Sequence, residues 1–292
     1  MRAVDLTRLV ALATIWSLSF VFIRVLAPVL GPVWVATTRL ALGGATLVAM
    51  FVATRRHLDL SRNWRAYLFV GMLNSALPFL LFAWAALTLP ASYLVILNGT
   101  LPLFGALVSA MWLGEALDAR MLGGLAMGIV GVVVVSRAGP LVPDLRFALA
   151  VAASLAAVAC YALGGVWVKR HGRALHPIAI AGWSQLLASV AMLPVAAASP
   201  VSGPVTMTIA VNAVLLAVLC SSIAYVLYYR LIADIGATRA MTVTFLMPAL
   251  GMLWGAWFLG ETVTLPMLAG ATLIVTGTVA VLHPRGARAQ AS

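Results

Sequence analysis

Long stretches of apolar residues dominate the chain, and short polar segments separate them. Stretches of about 20 apolar residues are long enough to cross the hydrocarbon core of a bilayer as helices. The pattern therefore predicts an all-α integral membrane protein with ten transmembrane helices. The predicted spans are 8–28, 32–53, 67–87, 91–113, 121–136, 147–168, 177–197, 208–231, 239–259 and 266–282.

The composition supports a membrane protein. Of the 292 residues, 64% are hydrophobic and only 9% are charged, and the mean hydropathy is +1.10. A soluble domain of this length could not cover so much apolar surface. The two cysteines, Cys160 and Cys220, both lie inside predicted spans, so we expect no disulfide framework.

The basic residues are distributed unevenly between the loops. Lysine and arginine number 18 against 7 aspartates and glutamates, which gives a formal net charge of +11. Sorted by loop, 14 basic residues fall on one side of the membrane, and only Arg137 and Arg146 fall on the other. This bias predicts that both termini are cytoplasmic. It also accounts for the positive charge without a nucleic-acid partner, because the charges are spread over short loops.

The chain contains an internal repeat. Glu115 and Glu261 are 146 residues apart, and the same offset superposes Pro102 on Pro248. Each half carries five predicted helices, and because five is odd, the second half must enter the membrane from the opposite side. The prediction is two inverted repeats, 1–140 and 141–292, related by a pseudo-two-fold axis in the membrane plane. Transporters and channels both use this arrangement.

The repeated segments carry a family resemblance. The stretch 76–135, which contains "LNGTLPLFGALVSAMWLGE", and its counterpart 245–282, which begins "FLMPALGMLWGAWFLGE", resemble the EamA-type repeat of the drug/metabolite transporter superfamily. The resemblance covers nearly the whole chain. It implies ten helices, cytoplasmic termini and export of small metabolites such as amino acids. It also implies that four helices of each repeat surround a central cavity, while the fifth is peripheral.

Prolines inside the predicted helices indicate where a binding region lies. A proline leaves the carbonyl four residues earlier without its donor and bends the helix. In hydrocarbon, such groups must face protein or a wet cavity. The predicted kinks are Pro78, Pro102 and Pro248, and the predicted polar lining residues are Asn74, Ser75, Asn98, Ser221 and Thr244. Alternatively, the prolines only shape packing and the polar side chains satisfy the kinks.

Aromatic residues near the middle of the membrane are further candidates for the pathway. Trp16 and Tyr161 lie at similar places in the two repeats, too deep for an interfacial belt. Their rings could stack on a substrate, although packing in the core is the competing interpretation. Tyr225 lies deep enough to reach a cavity, whereas Tyr228 and Tyr229 fit an interfacial belt.

Few charged residues fall inside the predicted spans. Arg39 lies about 10 Å inside the second helix and could hold a substrate carboxylate. We expect Arg24 to extend towards the outer headgroups. No aspartate, glutamate or histidine lies well inside a span. Since proton-coupled transport normally needs such a group, facilitated movement is favoured over proton antiport.

The two "LGE" motifs end the fourth and ninth predicted helices. Glycine suits the turn, and we expect the carboxylates of Glu115 and Glu261 to bind a neighbouring backbone amide or a basic residue, which gives both a structural role in a helical hairpin. Small residues upstream are spaced four apart and predict close helix packing in both repeats. They are Gly105 and Ser109 in the first repeat and Gly251 and Gly255 in the second.

Together these patterns predict an inner-membrane exporter of amino acids or similar small metabolites, which works by alternating access. Its predicted partners are a small-molecule substrate and the lipid bilayer. No cofactor, metal site or catalytic residue is expected, because no spaced ligand set or catalytic arrangement occurs at membrane depth. The alternatives are an exporter of drugs, purines or sugars by proton antiport, and a non-transporting intramembrane enzyme. An oligomeric partner is not indicated.

Overall fold

The computed structural model describes residues 2–53, 60–137, 144–172 and 175–282. This part of the chain is helical and contains no strand. The helices of the first half are α1 (Ala3–Leu30), α2 (Pro32–Ala53), α3 (Leu60–Gly71), π1 (Met72–Ala76), α4 (Leu77–Ala85), α5 (Ala91–Asn98), α6 (Leu101–Leu113) and α7 (Ala119–Arg137). Those of the second half are α8 (Leu145–His171), α9 (Pro177–Ala197), α10 (Met207–Val214), π2 (Leu215–Ile223), α11 (Ala224–Ile235), α12 (Ala237–Ala240), α13 (Val243–Leu259) and α14 (Leu265–Leu282).

All ten predicted crossings are present as apolar helices. Within the described residues, nine helical runs have at least 18 residues, and the tenth, α13, has 17. The first and third crossings begin earlier than predicted, at Ala3 and Leu60. The third begins early because α3 opens with a polar turn that includes the exposed Arg62 and Arg65. A helix can continue past the bilayer surface, where hydrophobicity no longer reports its length.

The third and eighth crossings each contain a π-helical segment. π1 is the repeat equivalent of residues 218–222, which lie within π2. Pro78 stands in the first turn of α4, directly after π1. In the eighth crossing the equivalent residue is Ala224, so a proline is not the common cause of the two segments. π-helical segments occur frequently at functional sites, because the wider turn displaces side chains from α-helical register.

The fourth and ninth crossings are broken rather than kinked. A turn at residues 99–100 separates α5 from α6, and Pro102 lies in the first turn of α6. A turn at residues 241–242 separates α12 from α13. Pro248 lies inside α13, six residues after this turn, and its predicted kink stays a prediction. Threonine hydroxyls donate to carbonyls at both breaks: Thr100 to Leu97 at 2.7 Å and Thr244 to Met241 at 2.8 Å.

The fifth helices of the two halves, α7 and α14, pack against each other through glycines. A methyl group built on Gly124 would lie 2.6 Å from the carbonyl oxygen of Gly277, and one built on Gly277 would lie 2.5 Å from that of Gly124. Gly131 and Gly270 are paired in the same way at 2.8 Å in both directions. The repeat offset relates Gly124 to Gly270 and Gly131 to Gly277, so the pseudo-two-fold axis passes through this contact.

Replacing Gly124 with leucine is expected to destabilise the protein by about 1–3 kcal/mol, because the side chain has no room against α14. Gly123 is the matched control, since it lies in the same helix, is exposed, and would meet no atom within 4 Å. Thermal unfolding of the purified variants should show a lower melting temperature for Gly124→Leu than for Gly123→Leu. Equal melting temperatures would show that α7 and α14 do not need this close contact.

Candidate substrate cavity

A cavity of about 660 Å³ lies between the helices of the two halves. It extends from the buried Arg39 and Phe79 to Glu115 and Lys169, whose side chains are 38% and 61% exposed. We call this end of the bundle the Glu115 end, and the opposite end the Glu261 end. Cavities of this size are typical of sites for small molecules.

Most of the predicted pathway residues line this cavity. The seven that do so are Trp16, Arg39, Asn74, Asn98, Tyr161, Tyr225 and Thr244. The remaining two lie behind its wall. Ser221 accepts a hydrogen bond from Arg39, and Ser75 lies close enough to Tyr225 for the two side chains to interact. The structure thus brings all nine residues together around one space.

Aromatic rings form a large part of the wall. The ring centroid of Trp16 lies 5.1 Å from that of Tyr228, and the centroid of Tyr161 lies 6.3 Å from that of Phe82. Tyr228 lines the cavity, so the assignment of this residue to an interfacial belt is wrong. It turns inwards because it packs against Trp16 of α1. The wall therefore offers several apolar faces at separations typical of aromatic packing.

Arg39 is the one cationic side chain in the deep part of the described wall. It is only 7% exposed. Its Nε donates to Ser221 Oγ at 3.0 Å, and its guanidinium carbon lies 3.8 Å from the centroid of the Phe79 ring. Arg24 is half-buried and donates to the carbonyl of Ala86, directly after the end of α4.

The Glu261 end is closed by a group of contacts that we call the Glu261 clamp. The backbone amides of Ala91 and Ser92 donate to the carboxylate of Glu261 at 2.6 and 2.9 Å, and the Ser92 hydroxyl donates at 2.6 Å. The carboxylate therefore caps the amino end of α5, where the helix dipole favours negative charge. Glycines leave room for this contact. A methyl group on Gly255 would lie 2.5 Å from Glu261 Oε2, and one on Gly251 would lie 2.2 Å from Val95 Cγ1.

At the Glu115 end, the equivalent residues are arranged differently. The carboxylate of Glu115 accepts a hydrogen bond from Lys169 Nζ at 2.6 Å. A methyl group on Gly105 would meet no atom within 4 Å. The predicted close packing is thus present at Gly251 and Gly255, but it is wrong for Gly105 and Ser109. These two residues line the cavity instead.

The hairpin turns follow the sequence prediction. Gly114 and Gly260 end α6 and α13 with φ angles of 70° and 65°, which glycine adopts without strain. Glu115 binds a basic residue and Glu261 binds backbone amides, the two kinds of partner expected from the sequence. The partners themselves lie far away in the chain, and sequence spacing gave no indication of them.

Sequence reasoning did not identify several wall residues. They are Ser19, Phe20, Phe79, Phe82, Lys169 and Tyr228. Phe79 and Phe82 follow Ser75 at helical spacing, so they share a face of the third crossing with a predicted lining residue. That periodicity is a signal that could have found them. Among the described residues, no group of three or more histidine, cysteine or acidic side chains could hold a metal ion.

The described residues form ten apolar helices in two repeats, and the cavity between them reaches one end of the bundle. This is the architecture of a multi-pass membrane transporter. A model of the EamA-like transporter family matches residues 6–137 and 148–283. The chain therefore belongs to the EamA-like transporter family, whose members are transporters rather than enzymes.

Bacterial proteins named as transporters are similar to this chain. The "Uncharacterized transporter YvbV" of Bacillus subtilis is 27% identical over 84% of this chain and 80% of its own. The "Probable amino-acid metabolite efflux pump" of Escherichia coli is 26% identical over 90% of this chain and 89% of its own. A solved crystal structure superposes with a TM-score of 0.69 over 96% of each chain, at 19% identity. That last likeness supports the fold alone.

Proposed function

We propose that this transporter exports amino acids or similar small metabolites from the cytoplasm by alternating access, and that the 660 Å³ cavity is its substrate site. The positive-inside bias orients the Glu115 end towards the cytoplasm, with both termini on that side of the inner membrane. The cavity then faces the compartment that supplies the substrate. The bacterial relative with an efflux-pump name supports this direction and class of substrate.

The difference between the two ends is the single observation that carries the proposal. Gly251 and Gly255 belong to a closed contact, whereas their repeat equivalents Gly105 and Ser109 face an open space. Inverted repeats that hold unlike conformations can exchange them, which closes the open end and opens the closed one. On this view the halves 1–140 and 141–292 are the two exchanging units, and the structure corresponds to the cytoplasm-facing state.

The wall also favours facilitated transport over proton coupling. Among its described residues, Glu115 is the one acidic side chain, and it lies at the mouth, paired with Lys169. The deep part is lined by neutral amides, hydroxyls and aromatic rings, with Arg39 as its charge. A carrier protonated in each cycle normally needs a deep group that gains and loses a proton.

Uptake of a panel of radiolabelled amino acids into proteoliposomes tests the proposal. We expect saturable flux that does not change when a pH gradient is imposed. Flux that requires the gradient would establish proton coupling. If no amino acid moves while the protein remains folded, the substrate class is wrong, and purines, sugars and drugs become the next panel.

The same assay tests the wall residues. Asn98→Leu and Trp16→Ala should each reduce flux by roughly tenfold, because each removes a group that faces the substrate. Asn212→Leu and Trp257→Ala are the matched controls, since neither residue lines the cavity: Trp257 is exposed, and the partly exposed Asn212 amide donates to Thr208 of its own helix. Equal losses in the control variants would show that the effects are not specific to the cavity.

A further inference from the structure

The guanidinium group of Arg39 is held on two sides by uncharged partners. On one side its central carbon lies over the Phe79 ring, and on another its Nε donates a hydrogen bond to Ser221. Ser221 belongs to π2, and Ser222 beside it donates to the Gly43 carbonyl at 2.9 Å, which ties π2 to α2. Phe79 belongs to α4 in the first repeat and Ser221 to π2 in the second, so both repeats hold this one group in place.

The charge of Arg39 has no acidic partner in the described part of the chain. The ion pairs found there join Arg2, Arg8 and Lys169 to carboxylates, and Arg39 takes part in none of them. A buried charge without a counterion is costly, and proteins normally pair it. Arg39 lines the cavity, and its described hydrogen bond uses only Nε, which leaves the donors Nη1 and Nη2 for a ligand anion.

The groups around Nη1 and Nη2 of Arg39 indicate which kind of ligand would bind there. Arginine binds carboxylates through two parallel hydrogen bonds, which suits the free edge of a guanidinium whose Nε is already used. Next to it the wall is apolar, with Phe79 and Phe82 from α4 and Tyr161 from α8. A second anionic group would find no cation there, because Lys169 lies at the mouth and pairs with Glu115.

We propose that Arg39 binds the carboxylate of the transported solute and that the aromatic wall binds an apolar or aromatic body attached to it. This inference rests on the proposed transport function and narrows its substrate to monocarboxylates with an apolar body. Amino acids with apolar side chains and simple apolar carboxylates share this chemistry. The amides of Asn74 and Asn98 are neutral acceptors for an ammonium group, so an amino acid is accommodated but its ammonium is not the main determinant.

Binding to the intact protein in nanodiscs, measured by calorimetry, separates the possible ligands. Three probes share one aromatic body: phenylalanine, 3-phenylpropionate, which lacks the ammonium, and phenethylamine, which lacks the carboxylate. We expect the two carboxylates to bind and phenethylamine to bind at least roughly tenfold more weakly. Phenylalanine binding much more tightly than 3-phenylpropionate would identify amino acids as the source of the carboxylate, and the reverse order would identify simple acids. Equal binding of phenethylamine and 3-phenylpropionate would overturn the proposal without any mutation.

Substitutions then assign the effect to Arg39. Arg39→Gln should weaken binding of both carboxylates by roughly 10- to 100-fold and leave phenethylamine unchanged or improved. Arg39→Lys should recover part of the loss, because a point charge replaces the bidentate fork. Arg24→Gln is the charge-matched control, since Arg24 lies in a transmembrane helix but outside the cavity. This variant should bind the carboxylate probes as tightly as the unchanged protein. Unaltered carboxylate binding in folded Arg39→Gln would refute the proposal.

The outcomes also distinguish this inference from the transport function. Carboxylate-dependent binding without flux in proteoliposomes would reject the transport proposal for these solutes and keep the binding site. Flux of apolar solutes that carry no carboxylate would keep the transport function and reject Arg39 as the determinant of its substrate.

Discussion

Replacing Glu261 with glutamine is expected to open the Glu261 end of the bundle. Glutamine keeps the size of the side chain but removes the charge that three donors of α5 share. Hydrogen bonds to charged groups are worth about 1.5–3 kcal/mol each. A net loss of about 3 kcal/mol would change the ratio of closed to open molecules by roughly 100-fold.

Labelling of a cysteine under the Glu261 clamp measures this opening. Ala91 is 1% exposed, and a cysteine there keeps the backbone amide that Glu261 binds. In right-side-out vesicles, with Cys160 and Cys220 replaced by alanine, an impermeant maleimide should label Ala91→Cys slowly and label it much faster when Glu261→Gln is added. Glu115→Gln is the matched control, because it makes the same change at the other end, in an exposed pair worth at most about 1 kcal/mol. Identical labelling rates for the two glutamine variants would refute this role of the clamp.

A second large effect on opening of the Glu261 end is expected from a larger side chain in the contact between α13 and α5. Gly251→Leu cannot be accommodated in the closed contact, because even a methyl group would lie 2.2 Å from Val95 Cγ1. Overpacking of this kind costs about 1–3 kcal/mol. The closed state should lose stability while the open state, in which α5 and α13 separate, should not. Labelling of Ala91→Cys should therefore rise, and flux should fall because the site can no longer be closed on this side.

Gly105→Leu is the counterpart of this substitution in the other repeat. It should fit the present structure, since no atom lies within 4 Å of a methyl group there. It should hinder only the state in which the Glu115 end closes, so labelling of Ala91→Cys should stay slow or become slower. If Gly105→Leu and Gly251→Leu change the labelling rate in the same direction, the two ends do not exchange conformations.

The number and order of the helices could be predicted from the sequence because burial in a bilayer imposes one simple requirement on every crossing. Apolar length alone identifies such helices, and the repeat offset follows from residue identities such as Glu115 and Glu261. The interruptions were less predictable. Proline is one cause of helix disruption, and Pro78 and Pro102 lie next to π1 and the turn at residues 99–100. No proline lies in π2 or in the turn at residues 241–242, so the sequence did not indicate these two interruptions.

The residues of the candidate site that could be predicted are those whose side chains are unusual inside a membrane. A charge, an amide or a large aromatic ring inside a transmembrane helix is expensive or rare, and for that reason Arg39, Asn98 and Trp16 stood out. Phenylalanine is ordinary in a membrane helix, so Phe79 gave no such signal, although it holds the Arg39 guanidinium. The partners of Glu261 also could not be found from the sequence, because they depend on packing between helices about 170 residues apart.

The glycine contact between α7 and α14 differs from the contacts at either end of the cavity. A two-fold operation maps it onto itself, since Gly124 against Gly277 becomes Gly270 against Gly131. In the proposed exchange of conformations, this contact is restored in the same form, while those at either end of the cavity are made or broken. It can therefore remain intact throughout the proposed transport cycle, as the fixed contact about which the other helices move.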